Sequence, residues 1–315
     1  MFTIKQPSKI VYGKYSASKN IFPENCLLIT SKGSQKRGWI DYINLKNYFI
    51  FDQVENNPSI ETTEKIISKF SNEKISQVIG LGGGSVLDVA KYCGHKMNKK
   101  KVLIPTTFGS GSEVTRISVL KVNNKKQSFH DDRLFADVAI IDSSFIDNTP
   151  ENVLKNSFVD ALAQCSEGYD SKLGNEYTKF FCKKAFDYLE RGFMTKYNDD
   201  IVLGSLLSGI GFGNCSTTLG HALSYVFSNE GISHGHALAF TTTVSHKFND
   251  SIFFQRFRDL IKKLNFESIK LKSNFEDASE LILKDTKHLD NNPRLVTKKD
   301  IISLLDIINS GNSLD

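Results

Sequence analysis

The sequence lacks the segments by which proteins enter or cross membranes. No apolar run approaches the ~20 residues that a helix needs to span a bilayer, and the N-terminus has no apolar signal-peptide core. Cysteine is scarce: the five residues are widely spaced, odd in number and include no C-x-x-C pair. These absences predict a protein of the reducing cytoplasm that binds no membrane.

Charge of one sign is not concentrated anywhere in the chain. The net charge of +5 is the difference between 40 basic and 35 acidic residues, and the lysines are scattered. A nucleic-acid-binding surface would need a basic patch, so we expect no nucleic-acid partner. The 315 residues contain no repeat or low-complexity tract, are 40% hydrophobic, and are enough for two domains with separate cores.

Short β-rich runs alternate with helical periodicity in the first half of the chain. The predicted strands are residues 26–31, 48–54, 78–81, 102–104 and 138–141, and the predicted helices are residues 60–70 and 86–97. Such alternation is typical of a parallel α/β sheet.

Strand signals end near residue 148. Thr149-Pro150 predicts a helix N-cap followed by proline at the first helical position. The helical patterns beyond it are 152–169, 177–193, 201–211 and 216–228, with a capping box at 273–276 and a final helix from Thr297 to residue 308. We therefore predict an α/β domain over residues 1–148 and an all-α domain over residues 149–315.

A run of three glycines links the 78–81 strand to the next helix. Gly82, Gly83 and Gly84 let a ligand approach the backbone, and Ser85 opens a helix whose first N–H groups and dipole favour an anion. The pattern is neither G-x-G-x-x-G nor a P-loop, and a tight turn without a ligand would need only one or two glycines. We therefore predict that this turn binds the pyrophosphate of a dinucleotide.

A second segment rich in glycine and hydroxyl groups, PTTFGSGSEVT, follows the next predicted strand. Thr106, Thr107, Ser110 and Ser112 can contact ribose, phosphate or a nicotinamide amide, because ligands of open parallel sheets lie at the carboxyl ends of the strands. Alone, the segment is only a plausible loop. Together with the glycine turn it predicts two walls of one crevice.

The helical half carries the acidic and imidazole groups that could hold a metal. Asp160 and Gln164 lie four residues apart on one helix face, as do His221 and Tyr225, and His234 follows after a turn. One aspartate and two histidines make a reasonable three-ligand catalytic site with an open position. The alternative is that these side chains make ordinary polar contacts, which is the commoner role of a single His or Asp on a helix.

Four motifs stand in the order seen in the iron-containing (group III) alcohol dehydrogenases: GGGSVLDVAK, PTTFGSGSEVT, DVAIID…TPENVLKNSFVDALAQCSEGYDS and GHALSYVF…SHGHA. The chain resembles this superfamily, which includes glycerol dehydrogenase and dehydroquinate synthase, from about residue 12 to residue 249. The resemblance implies a nucleotide-binding domain and a helical metal and substrate domain, in a dehydroquinate synthase-like fold, with Fe²⁺ or Zn²⁺ in the cleft between them. It places the NAD(P) phosphates on the glycine turn, and it maps the metal ligands to Asp160, position 164, His221 and His234.

Two positions depart from the family pattern. Position 164, normally a ligand histidine, is Gln here, and position 225, normally a second active-site histidine, is Tyr. Together with the segments DALAQ, HALSY and HGHA, these departures resemble the branch of phosphonoacetaldehyde reductases (hydroxyethylphosphonate dehydrogenases).

The resemblance implies metal-dependent, NAD(P)H-linked reduction of a small aldehyde to an alcohol, with phosphonoacetaldehyde as the substrate of the branch. Tyr225 or His236 could relay the proton to the alkoxide, and the alternatives are packing for Tyr225 and a surface role for His236. Three other functions stay open: a general alcohol or polyol dehydrogenase, a lyase like dehydroquinate synthase, and a non-catalytic relative that retains nucleotide binding. We expect the chain to form a homo-oligomer, as a dimer.

A phosphonate dianion beside an anionic cofactor would need cationic or N–H-rich contacts. Candidate residues are Lys126, His130, Arg133 and His236, and a solvated loop is the alternative for the first three.

The segment after the first predicted strand bears on the choice of cofactor. Residues 30–37, TSKGSQKR, contain three cations and no carboxylate that would bind the ribose hydroxyls of NAD and repel a 2′-phosphate. We therefore expect NADPH to be at least tolerated.

Overall fold

The computed structural model describes residues 1–123 and 125–314. The chain divides into two compact units, one from Thr3 to Pro150 and one from Glu151 onward. This division lies just after the boundary that the sequence predicts between residues 148 and 149.

The first unit is built on a parallel sheet. Its strands are β1 (Lys9–Tyr12), β2 (Leu27–Ile29), β3 (Phe49–Phe51), β4 (Val78–Gly82), β5 (Lys101–Pro105), β6 (Ile117–Val122), β7 (Lys125–His130) and β8 (Val138–Ile141). Six of them form one sheet in the order β1-β8-β5-β4-β2-β3, with every pair parallel. β2, β4 and β5 are buried along their whole length, as expected for strands covered on both faces. The predicted α/β class of this half is confirmed.

The strand order reverses between β2 and β4. From β2 the chain passes to β3 at the edge of the sheet and then crosses back to β4 on the other side of β2. Ligands of open α/β sheets lie outside the carboxyl ends of the strands at such a reversal. The Thr30 hydroxyl, just after β2, donates to the Leu81 carbonyl in β4 at 2.6 Å, so the ends of these strands lie side by side.

Helices connect these strands. They are α1 (Lys32–Lys36), α2 (Trp39–Tyr42), α3 (Ile60–Lys69) and α4 (Gly84–Lys96). α3 begins where the Ser59 hydroxyl accepts a hydrogen bond from the Thr62 N–H, a typical N-cap. α4 follows the glycine turn and packs on β4 and β5, so its first turn lies at the carboxyl ends of the strands.

The sequence patterns do not predict β1 or the antiparallel hairpin of β6 and β7. β7 reads KKQSFH, and its side chains are exposed or half-buried, so it lacks the apolar alternation that marks a strand. Its partner β6 buries Ser118 and Leu120 and supplies the pairing that the β7 sequence does not indicate.

The second unit is helical, as predicted. Its helices are α5 (Glu151–Asp170), α6 (Glu176–Thr195), α7 (Asn198–Phe212), α8 (Leu219–Asn229), α9 (His234–Phe248), α10 (Phe254–Leu264), α11 (Phe275–Leu283), α12 (Thr286–Asn291) and α13 (Lys298–Asn309). No strand occurs after Pro150 in the described part of the chain. None of the described helices has the length and apolar character needed to cross a membrane.

Helix caps in this half follow the sequence only in part. Thr297 caps α13 with a capping box, as predicted. The Thr149 hydroxyl, in contrast, donates to the carbonyls of Thr106 and Phe145 and does not cap α5. Asn274, one residue beyond the predicted Ser273, accepts the hydrogen bond that caps α11.

Candidate functional site

The glycine turn lies at the reversal of strand order, where a nucleotide would bind. Gly83 is the N-cap of α4, and the N–H groups of Gly84 and Ser85 have no acceptor among the described residues. A Cβ on Gly83 would lie 3.0 Å from the Thr107 hydroxyl oxygen, and one on Gly84 would lie 2.9 Å from that of Ser110. The turn is therefore narrow enough to require glycine and presents free donors at a helix N-terminus, as a phosphate cradle does.

The second predicted wall lies beside the first. In the sheet Gly82 pairs with Pro105, and the Thr106 N–H donates to the Gly82 carbonyl at 3.0 Å. Thr107 and Ser110 are half-buried and face the glycine turn. The structure thus brings together the two segments that the sequence predicts to form one crevice.

Ser112 does not face that crevice. It is buried, and its hydroxyl donates to Asp88 Oδ1 at 2.6 Å. The prediction that Ser112 contacts the cofactor is therefore corrected, because its oxygen is committed to α4. The sequence shows a hydroxyl in the right segment but not the direction in which it points.

Ser112 belongs to a buried group that we call the lysine cluster: Asp88, Lys91, Ser112 and Glu113. Lys91 Nζ lies 3.3 Å from Asp88 Oδ1, donates to the Ser112 carbonyl at 2.8 Å, and also donates to the carbonyls of Thr115 and Ile117. Burial lowers the pKa of Lys91, opposed by the Asp88 charge, and burial raises the pKa of Glu113 to about 7. The cluster ties the second wall of the crevice to α4.

The helical unit brings together the candidate metal ligands from three helices. We call Asp160 on α5, His221 on α8 and His234 on α9 the ligand triad. Nε2 of each histidine lies 3.8 Å from Asp160 Oδ1, and all three ligand atoms lie within 4.8 Å of one another. A tetrahedral ion with bonds of about 2.1 Å separates its ligands by roughly 3.4 Å, so small side-chain movements suffice to close the triad on a cation.

Gln164 lies beside the ligand triad. Its Nε2 donates to Asp160 Oδ1 at 2.8 Å, one turn earlier on α5. Its Oε1 is buried and has no hydrogen-bond partner among the described residues. An unpartnered buried oxygen costs stability unless something binds it, and a divalent cation beside the triad would do so. The donor set therefore fits a divalent metal.

Glu167, which the sequence reading does not identify, orients His221. It lies seven residues after Asp160 on the same face of α5 and accepts a hydrogen bond from His221 Nδ1 at 2.5 Å. A Cβ on Gly220 would collide with Glu167, so glycine before His221 permits this approach. Burial alone would lower the pKa of His221, but Glu167 and Asp160 raise it to about 9. A carboxylate on the far nitrogen of a ligand histidine is the usual partner that fixes the ring in metal sites.

Asn156 positions His234 at the start of α9. Its side-chain oxygen accepts hydrogen bonds from the Ser233 hydroxyl at 2.6 Å and from the His236 N–H at 2.9 Å. Gly235 lies so close to the Asn156 backbone that any Cβ would collide with it. The SHGH segment therefore docks on α5 one turn before Asp160, which places His234 beside that carboxylate.

Sequence profiles match both units. The profile described as "Iron-containing alcohol dehydrogenase" matches residues 7–143, and the profile "Fe-containing alcohol dehydrogenase family, C-terminal" matches residues 155–297. The chain belongs to the iron-containing alcohol dehydrogenase family. The glycine turn and the ligand triad agree with the NAD(P) and divalent metal that this family uses.

The chain is similar to two curated dehydrogenases. It is 36% identical over 209 residues to 4-hydroxybutyrate dehydrogenase of Clostridium kluyveri, covering 57% of this chain and 56% of that protein. It is 30% identical over 257 residues to long-chain-alcohol dehydrogenase 1 of Geobacillus thermodenitrificans, covering 70% of this chain and 65% of that protein. The chain thus spans less than two thirds of the length of either relative.

The fold matches solved structures over nearly the whole chain. Sulfoacetaldehyde reductase of Bifidobacterium kashiwanohense, solved in complex with NAD⁺, aligns with a TM-score of 0.87 at 22% identity, covering 98% of this chain and 99% of that chain. The fold and the membership of the iron-containing alcohol dehydrogenase family that the motifs predict are confirmed, whereas the phosphonoacetaldehyde reductase branch stays a prediction.

The two candidate relay residues lie in different surroundings. The Tyr225 ring is nearly parallel to the His234 ring, with centroids 6.2 Å apart, so it lies beside the ligand triad. His236 is two residues after His234 on α9, and its Nε2 hydrogen-bonds to the Glu267 carbonyl at 2.6 Å while its ring stacks on Phe266. The prediction of a relay through His236 is therefore corrected, because its Nε2 is already bonded to the Glu267 carbonyl and its ring packs on Phe266.

One candidate for a phosphonate contact is also committed elsewhere. Arg133 is exposed, and its guanidinium donates to both oxygens of Asp131. Lys126 and His130 lie on the strand β7, so the alternative of a solvated loop is wrong for these two residues. These placements weaken the case for Arg133 most.

Proposed function

We propose that the chain catalyses metal-dependent, NAD(P)H-linked reduction of a small aldehyde to its alcohol, and the reverse oxidation. The observation that carries this proposal is the ligand triad with the unpartnered Gln164 Oε1 beside it. An amide oxygen without a partner in the described part of the chain, beside a carboxylate and two imidazoles, is available to bind a cation. The names of both curated relatives, which are dehydrogenases of hydroxyl compounds, agree with the reaction type.

In this proposal Asp160, His221 and His234 are the firm ligands and Gln164 completes the set. A bound divalent ion supplies a Lewis acid for the substrate oxygen. Glu167 holds the His221 ring by its Nδ1, which leaves Nε2 to bind an ion. Asp160, whose Oδ1 already meets both histidines and Gln164, provides negative charge that attracts a cation.

Tyr225 holds a proton next to the triad. Burial, together with the carboxylates of Asp285 and Asp160, raises its pKa well above the ordinary value. The phenol therefore stays protonated at neutral pH and can donate a hydrogen bond to an oxygen, but it does not act as a base. We assign it the role of hydrogen-bond donor to the substrate oxygen.

The first unit would bind the cofactor. Bound NAD(P)H supplies the hydride. The N–H groups of Gly84 and Ser85 would receive the phosphates, with Thr107 and Ser110 on the facing wall. Residues 30–37 offer no carboxylate to repel a 2′-phosphate, so NADPH should be accepted.

The finer substrate assignment is a small aldehyde that carries an anionic group, with phosphonoacetaldehyde as the specific candidate. The segments DALAQ, HALSY and HGHA support it, as does a 36% identical relative whose named substrate, 4-hydroxybutyrate, carries a carboxylate. A general alcohol dehydrogenase is the alternative.

The test is NADPH and NADH oxidation by metal-loaded protein with phosphonoacetaldehyde, succinic semialdehyde, acetaldehyde and propanal. The proposal expects turnover that disappears after chelation and returns with Fe²⁺ or Zn²⁺. Turnover that persists in metal-free protein would contradict it. A kcat/KM that is equal for charged and uncharged aldehydes would reject the anionic substrate and leave the general alcohol dehydrogenase.

A further inference from the structure

A histidine outside the family motifs lies beside the ligand triad. His288 is on the short helix α12, which packs against α8, the helix that carries His221 and Tyr225. The side chain is buried, with only 7% of its surface exposed. Nothing in its local sequence, DTKHLDN, indicates that it belongs to a site.

His288 is part of the ring cluster around the triad. Its ring lies nearly parallel to that of His221, with centroids 6.3 Å apart and an interplanar angle of 19°. It also lies 5.9 Å from the Tyr225 ring, which in turn stacks on His234. The imidazole therefore borders the same region as the two candidate ligand histidines.

Asp285 fixes the orientation of this imidazole. Both of its carboxylate oxygens lie within hydrogen-bond distance of His288 Nδ1, at 2.7 and 2.8 Å. Burial alone would raise the pKa of Asp285, but the hydrogen bond from His288 holds it below the ordinary value, so the carboxylate stays ionised. A carboxylate can only accept, so Nδ1 carries a proton, and in the neutral imidazole the lone pair then lies on Nε2.

The Nε2 of His288 makes no hydrogen bond to the described residues. Every hydrogen bond that this ring makes among the described residues runs through Nδ1. In His221, by contrast, Nδ1 bonds to Glu167 and Nε2 lies near Asp160. In His236, Nε2 bonds to the Glu267 backbone carbonyl. An oriented imidazole with one nitrogen uncommitted is the arrangement of a group that contacts a ligand.

We propose that His288, oriented by Asp285, contacts the substrate through Nε2, which accepts a hydrogen bond from the hydroxyl of the bound alcohol. This inference rests on the proposed function, since it adds a residue to the same site. Asp285 is then a positioning residue. Because the aldehyde has no O–H, the contact discriminates between the two sides of the reaction.

The first experiment measures both directions of the reaction in His288→Ala. Because the overall equilibrium constant is unchanged, kcat/KM must fall by the same factor in both directions. The rise in KM for the alcohol should nevertheless exceed the rise in KM for the aldehyde by about tenfold. Added imidazole should restore part of the lost activity, and His288→Gln, whose amide oxygen can accept the same bond, should lose less. A packing role alone would give none of these three results.

Two further measurements separate the possible failures. The metal content and NADPH affinity of His288→Ala should match those of the wild type. The control variant His95→Ala, which replaces a histidine in the last turn of α4, should show no change in KM and no response to imidazole. Loss of metal in His288→Ala would make it a ligand and overturn the proposal, as would an unchanged KM for the alcohol. If the wild type reduces no aldehyde, the proposed function itself is wrong. If the wild type is active and His288→Ala has the same kinetics, the proposed function stands and only this inference is wrong.

Discussion

Each unit contains a group of charged and polar side chains, and the two groups are built in opposite ways. In the lysine cluster, Lys91 Nζ forms an ion pair with Asp88 and donates to three backbone carbonyls. The Ser112 hydroxyl donates to the same Asp88 carboxylate, so the ammonium and the hydroxyl both have acceptors. In the ligand triad, two imidazole nitrogens converge on one oxygen of Asp160, and Gln164 Oε1 has no partner. The first group is satisfied by its own hydrogen bonds, and the second leaves atoms that a cation could bind.

This difference separates a structural network from a binding site better than residue type does. Both groups contain a carboxylate and a basic nitrogen, and each includes a buried member, Lys91 in the first and His221 in the second. What distinguishes them is the satisfaction of their hydrogen-bonding atoms: Lys91 and Ser112 have acceptors, whereas Gln164 Oε1 has no partner among the described residues. The histidines His288 and His236 differ in a related way: Nε2 of His236 bonds to the Glu267 carbonyl, whereas the hydrogen bonds of His288 run through Nδ1.

The largest effect is expected on the free energy of unfolding when the Lys91 ammonium is removed from the lysine cluster. Lys91→Met leaves the Asp88 carboxylate buried without its cation, which costs about 3–5 kcal/mol of the free energy of unfolding. Urea denaturation followed by the fluorescence of Trp39, the single tryptophan, measures this in the first unit. Lys100→Met, at an exposed lysine just before β5, is the matched control and should change stability by less than about 0.5 kcal/mol.

The double variant Asp88→Asn/Lys91→Met sharpens that result. It should be more stable than Lys91→Met alone, because no uncompensated charge remains in the interior. Equal unfolding free energies for Lys91→Met and Lys100→Met would show that the cluster is not the closed network described above.

Glu167 should carry the next largest effect, on metal binding. Glu167→Gln removes the negative charge that faces His221 Nδ1, so the affinity for a divalent ion should fall about 10–100-fold. Competition with a chromogenic chelator measures this affinity, and Glu176→Gln, an exposed glutamate in the first turn of α6, is the control. Wild-type affinity in Glu167→Gln would remove Glu167 from the site.

The buried Glu113 predicts a dependence of stability on pH. Burial raises its pKa from 4.5 to about 7, so between these values the folded protein binds a proton that the unfolded chain releases. Stability from this group is therefore full below about pH 4.5 and is lost as the pH rises through 7, by roughly 1–3 kcal/mol. Glu113→Gln should flatten that slope between pH 5 and pH 8 in urea denaturation. A slope identical to that of the wild type would contradict the assignment.

The smallest effect is expected at Gln164. Gln164→Ala should weaken metal binding about three- to tenfold, and Gln164→His should strengthen it, because imidazole is a better ligand for Fe²⁺ or Zn²⁺ than an amide oxygen. The same chelator competition measures both variants. Unchanged affinity in both would place Gln164 outside the metal site.

The sequence predicts the features whose signals are local. Three glycines between an apolar run and a helical pattern predict the glycine turn. The four-residue spacing of Asp160 and Gln164 predicts that both side chains lie on one face of a helix. Glu167 continues the same face at seven residues from Asp160, so this periodicity could have identified it.

Other features depend on packing that the sequence does not reveal. His288 lies 63 residues after Tyr225, and only the docking of α12 on α8 brings the rings together. Ser112 and His236 have suitable chemistry in suitable segments, but the direction of each side chain is set by the partners Asp88 and Glu267. β7 carries almost no apolar pattern and is a strand because β6 pairs with it.

The most direct test of the central claim is titration of metal-free protein with Co²⁺, whose visible absorption reports its ligands. The account predicts saturable binding of about one ion per chain with the spectrum of a nitrogen and oxygen site. His221→Ala should lose this binding while retaining affinity for NADPH, and His95→Ala should retain both. Absence of saturable binding in the wild type, or wild-type binding in His221→Ala, would contradict the claim that the ligand triad holds a metal.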